Sequence, residues 1–259
     1  MPETETPTGE YLYCVIRCPE PRKFGTRGIG ERGDTVHTVH FNGLAAVVSA
    51  SPVADYERTR RNMMAHTVVL EEVMQEFTIL PVRFSTIAPS THALQEQVLK
   101  RRYTELDGLL HEMEGRVELG VKAFWYEEAI FREIVEETPA IRSLRDSLMG
   151  RSSEETYYDR IRLGEMVEAA MGKKREEDAE HIVARLSPLV HRTRTNKTLT
   201  DRMILNAAFL LDRDREPEFD QAVQQLDAEM GHRLMLKYVG PVPAYNFVNI
   251  VVHWDNGSR

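Results

Sequence analysis

The chain is most constrained near its C-terminus, where Tyr238-Val239-Gly240-Pro241-Val242-Pro243-Ala244-Tyr245-Asn246-Phe247-Val248 sets two prolines between apolar runs. Each proline removes a backbone donor and drives the residue before it into an extended conformation. With Leu234-Met235-Leu236 on one side and Asn249-Ile250-Val251-Val252 on the other, the pattern predicts two strands meeting at a rigid corner. That corner is aromatic and carries no catalytic group. Its chemistry suits packing or docking.

Upstream, residues 11–17 alternate as a strand, with Tyr11, Tyr13 and Val15 on one face. Asn42-Gly43 predicts a two-residue hairpin between 36–41 and 44–50. A helix opened by Asp55 or Thr59 carries Met63, Thr67, Leu70, Met74 and Phe77 at helical spacing. Residues 78–87 read as a strand interrupted by Pro81. Ser90 or Thr91 then caps a helix bearing Leu99, Tyr103, Leu106, Leu110 and Met113.

After Gly115 the expected order is a strand over 117–125 and helices over 127–137, 141–149, 154–171 and 176–190. A polar loop over 192–196, a strand over 203–211, a helix over 218–230 and a strand over 234–239 follow. The alternation predicts two α+β domains, 1–115 and 116–259. The second is close to a ferredoxin-like arrangement with a helical insertion near 140–200. A last strand over 247–252 either completes that sheet or crosses to the first domain.

Charge excludes some classes. The net charge is −8, with 12 basic and 16 acidic residues through position 115 and 21 against 25 after it. Neither half has the basic excess a nucleic-acid role needs. Lys100-Arg101-Arg102 and Lys173-Lys174-Arg175 fall inside helical patterns and read as solvated faces. No apolar run approaches the roughly 20 residues of a membrane span. Residues 1–7 lack the basic and apolar regions of an export signal and read as a short disordered arm. Cys14 and Cys18 are too few for a disulfide framework and read as small buried or half-buried thiols, consistent with the cytoplasm.

Gly28-Ile29-Gly30-Glu31-Arg32-Gly33 matches a dinucleotide fingerprint literally, but a strand pattern follows it where the mechanism needs a helix N-terminus. It reads as a flexible loop. His37 and His40 face opposite sides of a predicted strand, and His66 sits within a helix, so neither a zinc site nor a general base emerges. No catalytic residue, metal or cofactor is expected. The eleven methionines fill the core by default, with a yielding docking face as the other use of so adaptable a side chain.

Four groups of segments, taken together, resemble the gas vesicle protein F/L family. They are Tyr11-Leu12-Tyr13-Cys14-Val15-Ile16 with Gly43-Leu44-Ala45-Ala46-Val47-Val48-Ser49; Leu80-Pro81-Val82-Arg83-Phe84-Ser85-Thr86; Glu118-Leu119-Gly120-Val121-Lys122; and Leu205-Asn206-Ala207-Ala208-Phe209-Leu210 with the Gly-Pro corner. The chain departs from the family at Ser85, where glycine is frequent, and at Leu119 and Val242, where an aromatic is frequent.

The resemblance implies a non-enzymatic minor component or assembly factor of gas vesicles, with two α+β domains, the C-terminal one ferredoxin-like. It implies binding to the small hydrophobic shell subunit, and to other accessory proteins, so as to limit aggregation. It further implies a place in the cytoplasm and at the gas vesicle. Candidate partner-binding residues on the matching segments are Arg83 and Lys122, as polar anchors in apolar strands, and Tyr238, Pro241, Pro243, Tyr245 and Phe247 at the corner. The alternative is a small-ligand-binding regulatory protein built on a ferredoxin-like domain.

Overall fold

β1 (Thr8–Arg17) runs through the middle of the first of two sheets in a computed structural model that describes residues 7–25 and 28–254. The arm expected at the N-terminus lies almost wholly outside the described residues. The fold is α+β. One unit is formed by the described residues of Met1–Glu118 and Pro241–Arg259, the other by Leu119–Gly240.

In the first unit, β2 (Lys23–Gly25), β3 (Val36–Phe41), β4 (Leu44–Pro52), β5 (Ile79–Pro81) and β6 (Ile87–Ala88) join β1 in the order β2-β3-β4-β1-β5, with β6 also on β1. Asn42 (φ 46°) and Gly43 (φ 85°) turn the β3–β4 hairpin with two left-handed residues, as that dipeptide predicts.

Simple alternation along β1 does not hold. A bulge between Leu12 and Cys14 shifts the register against β4, so Cys14 and Ile16 share the core side with Tyr11 and Tyr13. Val15 pairs with Ala46 on the other side, and the whole stretch from Tyr11 to Ile16 is buried. The Gly-rich loop makes one 3₁₀ turn, Ile29–Glu31, and leads into β3.

Thr59 caps α1 (Arg60–Met74), its hydroxyl accepting from the Asn62 N–H. The buried Val69, Leu70 and Val73 of α1 pack into the cluster formed by Tyr11, Tyr13, Cys14 and Ile16. Ser90 caps α2 (Thr91–Leu94), which continues through a π-helical turn, Gln95–Lys100, into α3 (Tyr103–Met113).

β7 (Arg116–Trp125) leads into the second unit. There α4 (Glu127–Glu137), α5 (Pro139–Leu148), α6 (Tyr157–Leu186), β8 (Arg192–Thr195), β9 (Met203–Asp212), α7 (Glu216–Met230) and β10 (Leu234–Val242) follow. The sheet order is β10-β7-β9-β8. Trp125 and Phe209 are buried, and Phe209 meets Phe219 of α7 at 5.2 Å between ring centroids.

Four sequence expectations need correction in this half. The polar run 192–196 is largely a strand, since β8 pairs antiparallel with β9 at the sheet edge and an exposed edge needs no apolar alternation. The two helices expected over 154–171 and 176–190 are one 30-residue helix. A glycine such as Gly172 costs a helix only about 1 kcal/mol and does not end it.

Lys173-Lys174-Arg175 is not a uniformly solvated face either: Lys174 pairs with Glu133 and Glu137, and the Arg175 guanidinium lies 5.6 Å from the Trp125 ring centre. Finally, β10 passes straight through Gly240-Pro241 to Val242, because an edge strand tolerates a missing donor.

The last segment crosses to the first unit, though not as a strand. Residues 247–252 contribute one parallel bridge, Ile250 to Val82. The N–H groups of Phe247 and Val248 are spent on the Ala244 carbonyl in a tight turn. Val248 and Ile250 are still buried, by packing rather than by a ladder.

Candidate functional site

The corner is fastened to the first unit at four points. The Glu118 carboxylate accepts from the Asn246 backbone N–H at 2.8 Å and from Asn246 Nδ2 at 2.6 Å. The Tyr245 hydroxyl bonds to Thr67 of α1. Ile250 bridges to Val82, and Arg102 Nη1 donates to the Val251 carbonyl at 2.9 Å. Burial of the phenol end pushes the Tyr245 pKa up to about 12, against the lowering effect of the Thr67 bond. The residue as a whole stays 42% exposed.

The helix to which Tyr245 is tied also shows apolar surface. Met63 and Met64 are 39% and 54% exposed, and Met63, Thr67 and Glu71 share one face of α1 at i, i+4 spacing. A fixed aromatic and two adaptable thioethers on a rigid seat are equipped to cover an apolar segment.

Beneath lies a buried polar network that resembles catalytic machinery at first sight. Tyr11 Oη accepts from the Ser85 N–H at 3.0 Å, leaving its own proton for His66 Nδ1, also at 3.0 Å. Tyr13 Oη accepts from the Ile29 N–H and shares a bond with Ser49. Ser85 Oγ accepts from the Tyr56 N–H at 2.8 Å. His66 stacks on Tyr13, and burial pulls its pKa down to about 4, so the imidazole is neutral at physiological pH. Burial likewise raises the Tyr11 phenol. The network is paired within itself and holds the core side of β1 against α1.

The second unit carries a cleft of about 720 Å³ lined by α4, α6, the end of α7 and the residues that follow it. Its charged groups bind one another. Arg233 bridges Glu133 and Asp178, Lys174 bridges Glu133 and Glu137, and Trp125 Nε1 donates to Asp178 at 2.8 Å. Burial raises the Asp178 pKa against the pull of Trp125 and Arg233. Burial also opposes ionisation of Glu133, yet Lys174 and Arg233 hold it below the usual range. Such a cross-braced cluster is structural chemistry.

The seven candidate residues are divided. Arg83, Pro241, Pro243, Tyr245 and Phe247 belong to the first unit, Lys122 and Tyr238 to the second. Arg83 is exposed in the turn between β5 and β6, not an anchor within a strand. Lys122 is half-buried on β7. Tyr238 is on the edge strand and donates to Asp220 of α7, its pKa raised by burial and by that carboxylate. Pro243 is buried, and Phe247 half-buried beside the exposed Tyr245. Sequence reasoning passed over Glu118, Asn246 and Thr67 as contributors. The available signal was an acid set within the apolar run Val117-Glu118-Leu119.

Residues 9–249 match the family model described as gas vesicle synthesis protein GvpL/GvpF. The chain belongs to that family. Gas vesicle protein F of Microcystis aeruginosa is 29% identical over 245 residues, covering 94% of this chain and 99% of that protein. Gas vesicle protein F of a Streptomyces species is 32% identical over 241 residues, covering 92% and 98%. The crystal structure of GvpF from Anabaena superposes with a TM-score of 0.82 at 26% identity, over 95% of this chain and all of that one. Membership in the GvpL/GvpF family makes this a gas vesicle-associated protein, and the family is one of structural and accessory proteins. Among the described residues, no helix is long and apolar enough to cross a membrane.

Proposed function

We propose that this member of the family works without turnover, binding the small hydrophobic shell subunit of the gas vesicle and limiting its aggregation during assembly. The observation that carries the reading is the fastened corner, which holds the exposed Tyr245 against α1, whose Met63 and Met64 are also exposed. A subunit that must leave water on one side exposes apolar surface before it assembles, and such surface aggregates unless covered. Of the candidate residues, Tyr245 and Phe247 supply the contact, while Pro241 and Pro243 supply stiffness. Tyr238, expected at the corner, stands on the edge strand that leads into it, and with Arg83 and Lys122 it is a secondary candidate. The protein acts in the cytoplasm, where the subunit is made, and at the vesicle.

We also read the second unit as ferredoxin-like with an enlarged first crossover. What supports this is its β-α-β-β-α-β sequence, completed by β8, together with a sheet whose first and third strands are central.

The test is co-expression of the shell subunit with and without this protein. The soluble fraction of the subunit should rise in its presence. An unchanged fraction overturns the proposal.

A further inference from the structure

The segment that follows the corner is patterned as a strand but is not paired as one. Along Val248-Asn249-Ile250-Val251 the burial alternates: Val248 and Ile250 are 4% and 1% exposed, Asn249 is open to solvent and Val251 is half-buried. β-Branched residues turned inward at every second position are what a half-buried strand shows. Among the described residues after the corner, however, Ile250 alone enters a β-bridge, to Val82. Arg102 Nη1, which donates to the Val251 carbonyl at 2.9 Å, stands in for ladder bonds.

The place this segment occupies is a sheet edge. β5 ends the path β2-β3-β4-β1-β5, and just past it Val82 gives its N–H to the Tyr13 carbonyl of β1 at 2.9 Å. Its other side is met by Ile250. An edge built of apolar residues such as Ile79, Leu80 and Val82 is a template for another strand unless it is covered. The cover is tied firmly at one end and lightly at the other. Asn246 gives two donors to the buried Glu118 and Tyr245 bonds to Thr67, whereas residues 248–252 have the bridge and the arginine. Backbone with few ladder bonds opens at little cost. Residues 248–252 can therefore lift while the corner stays seated.

What takes their place is read from what is there: two β-branched residues two apart, with a polar residue turned outward between them. We propose that residues 248–252 are a resident stand-in, displaced by an extended partner segment of the same apolar pattern that adds to the β5 edge in the parallel sense. The inference deepens the proposed function and rests on it for the identity of the partner, the shell subunit. The displacement itself does not.

Two measurements on the full chain keep those claims apart. In the first, a fluorescent peptide with the sequence of residues 246–253 is titrated by anisotropy, beside a twin carrying Val248→Ser/Ile250→Ser. A resident competitor lowers apparent affinity by the fraction of time the edge stands open, so Ile250→Ser in the protein should bind the unaltered peptide about tenfold or more tightly than wild type does. Val248→Ala, a milder change in the same segment, should gain about threefold or more, and keeps the test open should Ile250→Ser fail to fold. In wild type, exchange of the 248–252 amide hydrogens should quicken as the peptide saturates. Equal binding of the two peptides, equal affinity for wild type and variant, or unmoved amides overturns the inference. A wild-type dimer that the variant dissociates would give the edge to a second copy, and also overturns it.

In the second, the better folded variant replaces wild type in the co-expression test, at a level where wild type rescues part of the subunit. A higher soluble fraction with the variant supports both claims. An equal or lower fraction overturns the assignment of the shell subunit to the β5 edge and leaves the proposed function standing. Rescue by neither overturns the proposed function, and the peptide titration alone then decides the edge site.

Discussion

Glu118 and Asn246, 128 residues apart, are joined by two hydrogen bonds of 2.8 and 2.6 Å to a carboxylate that is only 3% exposed. One buried acid thus receives both the backbone and the side-chain donor of the residue that turns the corner. Hydrogen bonds to a buried charge are worth about 1.5–3 kcal/mol, and stranded donors add their own desolvation cost. Glu118→Ala should therefore lower stability by about 2–4 kcal/mol, measured as a shift in urea midpoint at constant m-value. A loss under about 0.5 kcal/mol would show that the corner holds without this pair.

Ser85 sits at φ 66°, the conformation that glycine adopts without strain, at a position where the family resemblance expects glycine. The left-handed backbone costs a non-glycine residue about 1–2 kcal/mol. The hydroxyl that captures the Tyr56 N–H returns about 0.5–1.5 kcal/mol. These nearly cancel, so Ser85→Gly should move the melting temperature by only a few degrees. Ser85→Val keeps that strain and loses the acceptor, leaving the Tyr56 N–H without its partner, so it should destabilise by about 1–3 kcal/mol.

His66 makes stability depend on pH in a defined window. Its folded pKa, about 4, lies below the ordinary histidine value near 6.5 because burial penalises the charged ring. Between these values the unfolded chain takes up a proton that the native chain does not. Stability is full above about pH 6.5 and falls as the pH drops towards 4, by roughly 3 kcal/mol in all. His66→Gln, which keeps an acceptor near Tyr11, should remove this component. The wild-type-minus-variant difference in urea midpoint should shrink on going from pH 7 to pH 4.5; a constant difference would exclude the mechanism.

In the second unit the ion cluster should respond asymmetrically. Arg233→Leu leaves Glu133 and the buried Asp178 without their shared cation, and should cost about 3–5 kcal/mol. Asp178→Asn keeps an acceptor for Trp125 and relieves the burial of a carboxylate, so it should cost under about 1.5 kcal/mol. Equal losses for the two variants would mean that the charges matter less than the packing around Trp125.

These relationships show where sequence reasoning reached and where it stopped. Local chemistry was legible: Asn42-Gly43 required two left-handed residues, and Thr59 and Ser90 announced helix starts through a hydroxyl three residues before an N–H. Edges and long-range pairs were not. β8 is Arg-Thr-Arg-Thr, and nothing in it alternates in polarity, because an edge strand is held by its ladder to β9. The β1 bulge changes which residues face α1 without any proline or glycine to mark it. Of the candidate site, the stiffness of the corner could be read from its prolines. Its attachment could not: Thr67 looks like an ordinary member of a helix, and Glu118, though an acid within an apolar run, does not name its partner until Asn246 folds against it.

The corner's role in partner binding is separable from its role in folding through Tyr245. Tyr245→Phe removes only the hydroxyl and its bond to Thr67, which should cost about 1 kcal/mol of stability and leave the exposed ring to meet a partner. Tyr245→Ala removes the ring as well. If that ring covers the shell subunit, this variant should lose about tenfold or more in rescue of the soluble subunit, beyond the further loss of stability that removing a ring more than half buried brings. Met64→Ser, at a position 54% exposed on α1, should weaken rescue in the same direction with almost no change in stability. Rescue untouched while the melting temperature falls from Tyr245→Phe to Tyr245→Ala would give the aromatic corner to folding alone and move the binding surface elsewhere on the molecule.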